Sequence, residues 1–113
     1  MNVSGKAAEI LAAKYLQQQG LTLLESNYRC RFGEIDLNMR DASKIVFVEV
    51  RLRGNATFGG AAASITLGKQ KKLTRTAEHY LMLHGQVACR FDAVLMDSLD
   101  VRHAQWVRNA FES

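Results

Sequence analysis

The chain contains no proline at all, and its only two cysteines, Cys30 and Cys89, are far apart and form no CxxC pair. The missing proline removes the commonest rigid turn-former and any Pro-rich linker, so turns must be built from glycine and short polar residues. Two isolated cysteines exclude a disulfide scaffold and a zinc knuckle, and they read as small apolar residues in or beside strands. No run approaches the roughly 18 consecutive apolar residues of a membrane span, and the N-terminus lacks the basic-then-apolar order of a signal peptide. A cytoplasmic protein with no membrane partner is expected. The three histidines, His79, His84 and His103, match no HExxH or similar ligand spacing and are expected at the surface.

What remains is a chain of 113 residues that is 48% hydrophobic, enough to bury a core as one domain spanning 1–113. Its net charge of +4 and pI near 9.3 suit an acidic partner, since Lys and Arg neutralise phosphates and release counterions.

Periodicity predicts a helix over 5–19, with Ala8, Leu11, Ala12, Tyr15 and Leu16 on one stripe and Gly20 as its C-cap. A strand over 21–31 and a turn at Phe32-Gly33 lead into a second strand over 34–40. Strict alternation there would put Ile35, Leu37 and Met39 on one face and Glu34, Asp36 and Asn38 on the other. After a turn at 41–43, residues 44–53 carry Ile45, Val46, Phe47, Val48 and Val50, the pattern of a central strand buried on both faces. Residues 53–64, RGNATFGGAAAS, hold three of the eight glycines and read as a loop. A second helix over 66–84 turns Leu73, Ala77, Tyr80 and Leu81 inward, and Gly85 ends it. A fourth strand over 89–96 follows, then a short edge strand over 104–107 and a frayed C-terminal turn. The order α-β-β-β-α-β(-β) predicts an α/β fold, a mixed sheet of four to five strands with helices on its faces.

Asp36 and Glu49 fall on neighbouring strands joined by a short turn, so a hairpin register can set the two carboxylates side by side. Arg51 shares the face of Glu49 by the period of two. Two carboxylates and a cation at one end of a buried sheet suit a hard ion such as Mg²⁺ or Mn²⁺, which takes oxygen ligands and lowers the pKa of bound water. The bland alternative is a same-face Glu49–Arg51 pair and an exposed Asp36. Against it, Glu49 and Arg51 interrupt the most apolar strand of the chain, where charge is costly unless paired or functional. Glu9 lies on the helical face of Ala12, Ala13 and Leu16, either as a third acid of the site or as a complement to the helix dipole. Glu34 either assists the metal or is solvated.

Arg51 and Arg53 lead into the loop, and Lys69, Lys71, Lys72 and Arg75 crowd the start of the second helix, where cations oppose the macrodipole and ask for an anion. A phosphate backbone would supply it. Asp92 shares a face with Arg90, which predicts an ion pair or edge exposure, and Trp106 reads as core or edge packing.

GEIDL (33–37), VFVEVR (46–51), FGGAAASI (58–65) and CRFD (89–92), in that order over nearly the whole chain, resemble the YraN family of small, uncharacterised bacterial proteins. That family is similar in turn to Holliday-junction resolvases and other nucleases with the PD-(D/E)xK signature and a restriction-endonuclease-like (tRNA endonuclease-like) core. The resemblance implies Asp36 and Glu49 as metal ligands, together with the backbone carbonyl of Val50. It puts Arg51 at the position of the motif lysine and makes Glu9 the helix-borne acid. Arg51 departs from the motif, because a guanidinium stays protonated and clamps phosphate bidentately, reproducing a lysine's handling of water only in part.

Three readings follow. The first is a Mg²⁺-dependent endonuclease acting on DNA, branched DNA included, or on structured RNA, with DNA favoured and a homodimer implied by analogy. Its catalytic group is Asp36, Glu49, Arg51 and Glu9, with Arg53, Lys69, Lys72 and Arg75 on the nucleic-acid backbone. The second is a non-catalytic nucleic-acid-binding module on the same fold, and the third is a protein-interaction subunit whose carboxylates hold no metal.

Overall fold

A computed structural model describes residues 3–52 and 65–112. Arg53 and the rest of the glycine- and alanine-rich segment through residue 64 lie outside the described residues. The elements are α1 (Val3–Gln18), β1 (Thr22–Cys30), β2 (Gly33–Asp41), β3 (Lys44–Leu52), α2 (Leu67–His84), β4 (Cys89–Met96), a 3-10 turn (Val101–His103) and β5 (Gln105–Phe111). One sheet joins the strands in the order β1-β2-β3-β4-β5, antiparallel throughout except for the parallel β3–β4 pair. The mixed α/β sheet expected from the sequence is therefore present, with α2 in the crossover that a parallel pair requires. Among the described residues no helix is long and apolar enough to cross a membrane.

Both helices stop where the sequence supplies stop chemistry. After α1, Gly20 takes φ +105, its N–H bonding the Gln17 carbonyl and that of Leu21 the Leu16 carbonyl. Those two reversed bonds satisfy the last helical carbonyls, and the left-handed φ costs glycine nothing. Thr66 caps α2, its Oγ1 accepting from the Lys69 N–H at 3.2 Å.

Two apolar layers sandwich the sheet. Ala8, Ala12, Ala13 and Leu16 of α1 pack on Leu37, Met39, Val46, Val48, Val94 and Met96, while Leu73, Ala77, Tyr80 and Leu81 of α2 pack on Tyr28, Ile35, Phe47 and Phe91. Alternation along β3 thus sends Ile45 and Phe47 toward α2 and Val46 and Val48 toward α1.

β2 departs from the alternation expected of it. Ile35 packs with the α2 layer, whereas Leu37 and Met39 pack with the α1 layer. The parity switches at Asp36, opposite Asn27 of β1, which takes φ +56. The β2–β3 ladder ends at Leu37↔Val48, next to the same point. The face turns over where Asn27 takes a positive φ and the β2–β3 ladder stops, which a period-two count cannot show.

The C-terminus also differs from the frayed turn expected of it, since β5 runs on to Phe111. A register shift near Phe91 and the φ +53 of Asn109 mark a bulge, whose Asn109 N–H donates to Asp92 Oδ1 at 3.0 Å. Phe111 then stacks on Phe91 with centroids 4.6 Å apart. The buried carboxylate fills the gap in the ladder and the aromatic pair anchors the end.

Candidate active site: an acid pair at the end of the β2–β3 ladder

Beyond Leu37↔Val48 the next pair in register is Asp36 opposite Glu49. The ladder does not continue through the backbone there. Instead the Val50 N–H donates to Asp36 Oδ2 at 2.8 Å, so a side chain replaces the carbonyl that an uninterrupted strand would offer. The same break in the ladder therefore brings the Asp36 carboxyl against β3. Glu49 is 5% exposed and projects, with Arg51, from the Phe47 side of β3 toward α2.

Burial pushes the Asp36 carboxyl up to about 8, and the negative charge of Glu49 adds to the rise. The Val50 N–H opposes it, while hydrogen bonding between the two carboxyls and the charge of Glu9 raise it further. At neutral pH Asp36 therefore keeps its proton beside Glu49.

Cations close the other side of Glu49. Lys69 Nζ stands 3.0 Å from Glu49 Oε2, and Arg51 lies 3.4 Å from the same oxygen. Arg51 Nε is buried without a partner among the described residues. Lys69 comes from the first turn of α2, which has no acidic residue of its own. Its compensating anion is thus within the protein, a role that counting charges along the helix missed. The signal was there in the lone buried Glu49, which needed more than one cation.

Of the acids expected at this site, Asp36 and Glu49 are in contact, and Glu9 acts on Asp36 from α1 through space. Glu34 is turned away, its carboxylate accepting from the exposed Arg29 at 2.6 Å. Among the described residues no group of three or more His, Cys, Asp or Glu side chains is gathered to hold a metal ion. Lys71, Lys72 and Arg75 are exposed along α2.

Asp92 is a buried hub, 1% exposed, accepting from Arg90 Nε, Trp106 Nε1 and the Asn109 N–H. The ion pair expected with Arg90 is present, and Trp106 packs at the edge against Tyr15. His84 and His103 are exposed as expected, but His79 is not a free surface residue, being only partly exposed and hydrogen-bonded through Nδ1 to the Tyr28 hydroxyl. Both cysteines are free and partly exposed, on β1 and β4.

Residues 8–96, which include the acid pair and Lys69, match Uncharacterised protein family UPF0102. The chain belongs to this family. A UPF0102 protein of Nitrosomonas europaea is 61% identical over 109 residues, covering 96% of this chain and 92% of the relative. One from Methylobacillus flagellatus is 54% identical over 113 residues and covers both chains fully. A third, from Psychromonas ingrahamii, is 52% identical over 112 residues, 98% of this chain and 91% of the relative. UPF0102 is the YraN family that the four sequence motifs resemble.

Proposed function

We propose that this UPF0102 chain is a divalent-metal-dependent endonuclease that hydrolyses phosphodiester bonds in DNA, including branched DNA, or in structured RNA, on a restriction-endonuclease-like core. The observation that carries the reading is the contact between the Asp36 and Glu49 carboxyls at a broken ladder, in a buried setting that disfavours the charge of Asp36.

The donor set fits Mg²⁺ or Mn²⁺. Mg²⁺ keeps most of its waters and is held by one or two carboxylates, so two acids in contact suffice without a full protein cage. Asp36, Glu49 and the Val50 carbonyl would hold the ion, which when bound supplies charge neutralisation and a water of lowered pKa. Glu9 adds negative potential from α1. Arg51 offers a planar fork for a phosphate, and Lys69 holds Glu49 in place from the α2 side. Lys72 and Arg75 would contact the nucleic-acid backbone along α2, Arg53 is a further candidate from the sequence alone, and DNA is the favoured partner.

A second reading rests on the same cations. Lys69 and Arg51 already neutralise Glu49, which favours a module that binds nucleic acid through the basic stripe of α2 without cutting it.

Calorimetric titration of Mg²⁺ or Mn²⁺ into the protein and its Asp36→Asn, Glu49→Gln double variant, followed by incubation with labelled branched DNA, linear DNA and structured RNA, separates the two. The endonuclease reading expects metal binding and cleavage that the double variant loses. Saturable, salt-sensitive binding that weakens in Lys72→Ala, Arg75→Ala, with no cleavage and no metal site, would leave the binding module in its place.

A further inference from the structure

The tip of the β1–β2 hairpin rests on the middle of α2. A Cβ on Gly33 would stand 3.1 Å from Thr76 Oγ1, so the hairpin tip packs closely on the α2 side chains. Beside this contact Arg31, Phe32, Arg75, Glu78, His79 and Met82 line an open groove of about 400 Å³.

Its chemistry is mixed in a particular way. The Arg31 guanidinium lies 4.8 Å over the Phe32 ring, and the His79 ring meets Phe32 edge-on at 6.3 Å. Tyr28 holds His79 through Nδ1, which fixes the imidazole plane. Met82, at 66% exposed, presents a polarisable apolar flank with nothing packed over it. Arg75 supplies an exposed cation, and Glu78 is the single carboxylate. Flat π surfaces backed by a guanidinium, flanked by cations and offering one acceptor, suit a nucleobase attached to its phosphate. A carboxylate accepts from an exocyclic amino group such as that of cytosine.

Position supports the same occupant. Lys69, Lys72, Arg75, His79 and Met82 follow one another at helical spacing along α2. The rise of about 1.5 Å per residue puts the groove roughly 15 Å along the helix from the Lys69 turn that touches Glu49. A strand laid along the basic stripe would pass from the acid pair to the groove.

We infer that the groove between the β1–β2 hairpin tip and α2 is a subsite for one unpaired nucleotide, its base against Phe32, Arg31 and Met82 and its phosphate on Arg75. The inference rests on the nucleic-acid partner proposed above but not on cleavage.

The test is a titration of short single-stranded DNA, and of blunt duplex of the same sequence, into the intact protein in chelator, read by anisotropy and by NMR shifts of Phe32, His79 and the Met82 methyl. Saturable shifts at these three with single strand are expected. Phe32→Leu, which keeps apolar volume but no ring, should weaken single-strand binding about 5- to 100-fold and leave duplex affinity alone, while Phe32→Trp retains it. Equal behaviour of the Leu and Trp variants, binding without shifts at Phe32 and His79, or no single-strand binding overturns the subsite. Cleavage that needs Asp36 but ignores Phe32 would remove the subsite and spare the endonuclease. Binding in the groove by a protein that never cleaves would do the reverse.

Discussion

Lys69 reaches from the first turn of α2 to within 3.0 Å of Glu49 Oε2, so the helix that crosses over the sheet is tied electrostatically to the central strand. Lys69 is 41% exposed on its side chain, which discounts the attraction, but Glu49 is buried and cannot turn to water instead. Lys69→Met should therefore cost about 1–2 kcal/mol in metal-free protein, with Arg51 left as the remaining cation. It should also tighten Mn²⁺ binding, because a competing cation has gone. Thermal melts with and without Mn²⁺ check both, and a loss of the same size at saturating Mn²⁺ would contradict the assignment.

Asp36 binds its proton more tightly folded than unfolded, at about 8 against an ordinary 3.8, because of burial first and Glu49 second. Stability linked to that proton is complete below about pH 4 and drains away as pH rises through about 8. Asp36→Asn keeps an acceptor for the Val50 N–H and needs no proton. The variant should match the native protein near pH 4 and exceed it by about 1 kcal/mol or more at pH 9 without metal. Saturating Mg²⁺ should reverse the order. Urea titrations across that pH range read the slope, and a native protein that gains stability toward pH 9 would refute it.

Asp92 joins β4 to β5 by accepting from Arg90, Trp106 and the Asn109 backbone at once. Asp92→Ala strands three donors around a fully buried position and should cost about 3–5 kcal/mol, against about 1–2 for Asp92→Asn, which keeps one oxygen. The β5 amides should lose hydrogen-exchange protection before the rest of the sheet does. Uniform loss of protection would show that β5 is not held separately by this carboxylate.

Asn38 is completely buried, paired in register with Phe47, and neither amide atom has a hydrogen-bond partner among the described residues. An unpaired buried amide is costly, and Leu keeps its branching at Cγ in a larger, wholly apolar side chain. Asn38→Leu should raise stability by about 1–3 kcal/mol in a urea titration. A destabilised variant would mean that the amide meets a partner such as an ordered water.

The local rules read most of this molecule from its sequence. The α1 stop at Gly20, the buried run of β3 and the inward stripe of α2 each follow from neighbours in sequence, and the short Asp36–Glu49 hairpin brings its acids together as the turn length requires. What escaped depends on groups that meet across the fold. Alternation along β2 assumes an unbroken ladder, and Asp36 breaks it by bonding the Val50 N–H with a side chain. The strand over Gln105–Phe111 exists because a buried carboxylate and Phe91 wait on β4, which nothing in residues 105–111 announces. The lysine run looked like a phosphate platform, yet its first member faces inward to Glu49. His79 looked solvated until Tyr28 arrived from β1.

The parallel pairing of β3 with β4, from Ile45↔Cys89 to Leu52↔Met96, is the most non-local joint of the sheet. The meander of β1, β2 and β3 closes through nearby residues, whereas the parallel pair must wait for the whole crossover to be in place. A hairpin closed ahead of the crossover therefore sets Asp36 beside Glu49 before Lys69 docks to neutralise Glu49. Until then the unfinished sheet carries an open edge along β3, and it is the docking of β4 that closes it.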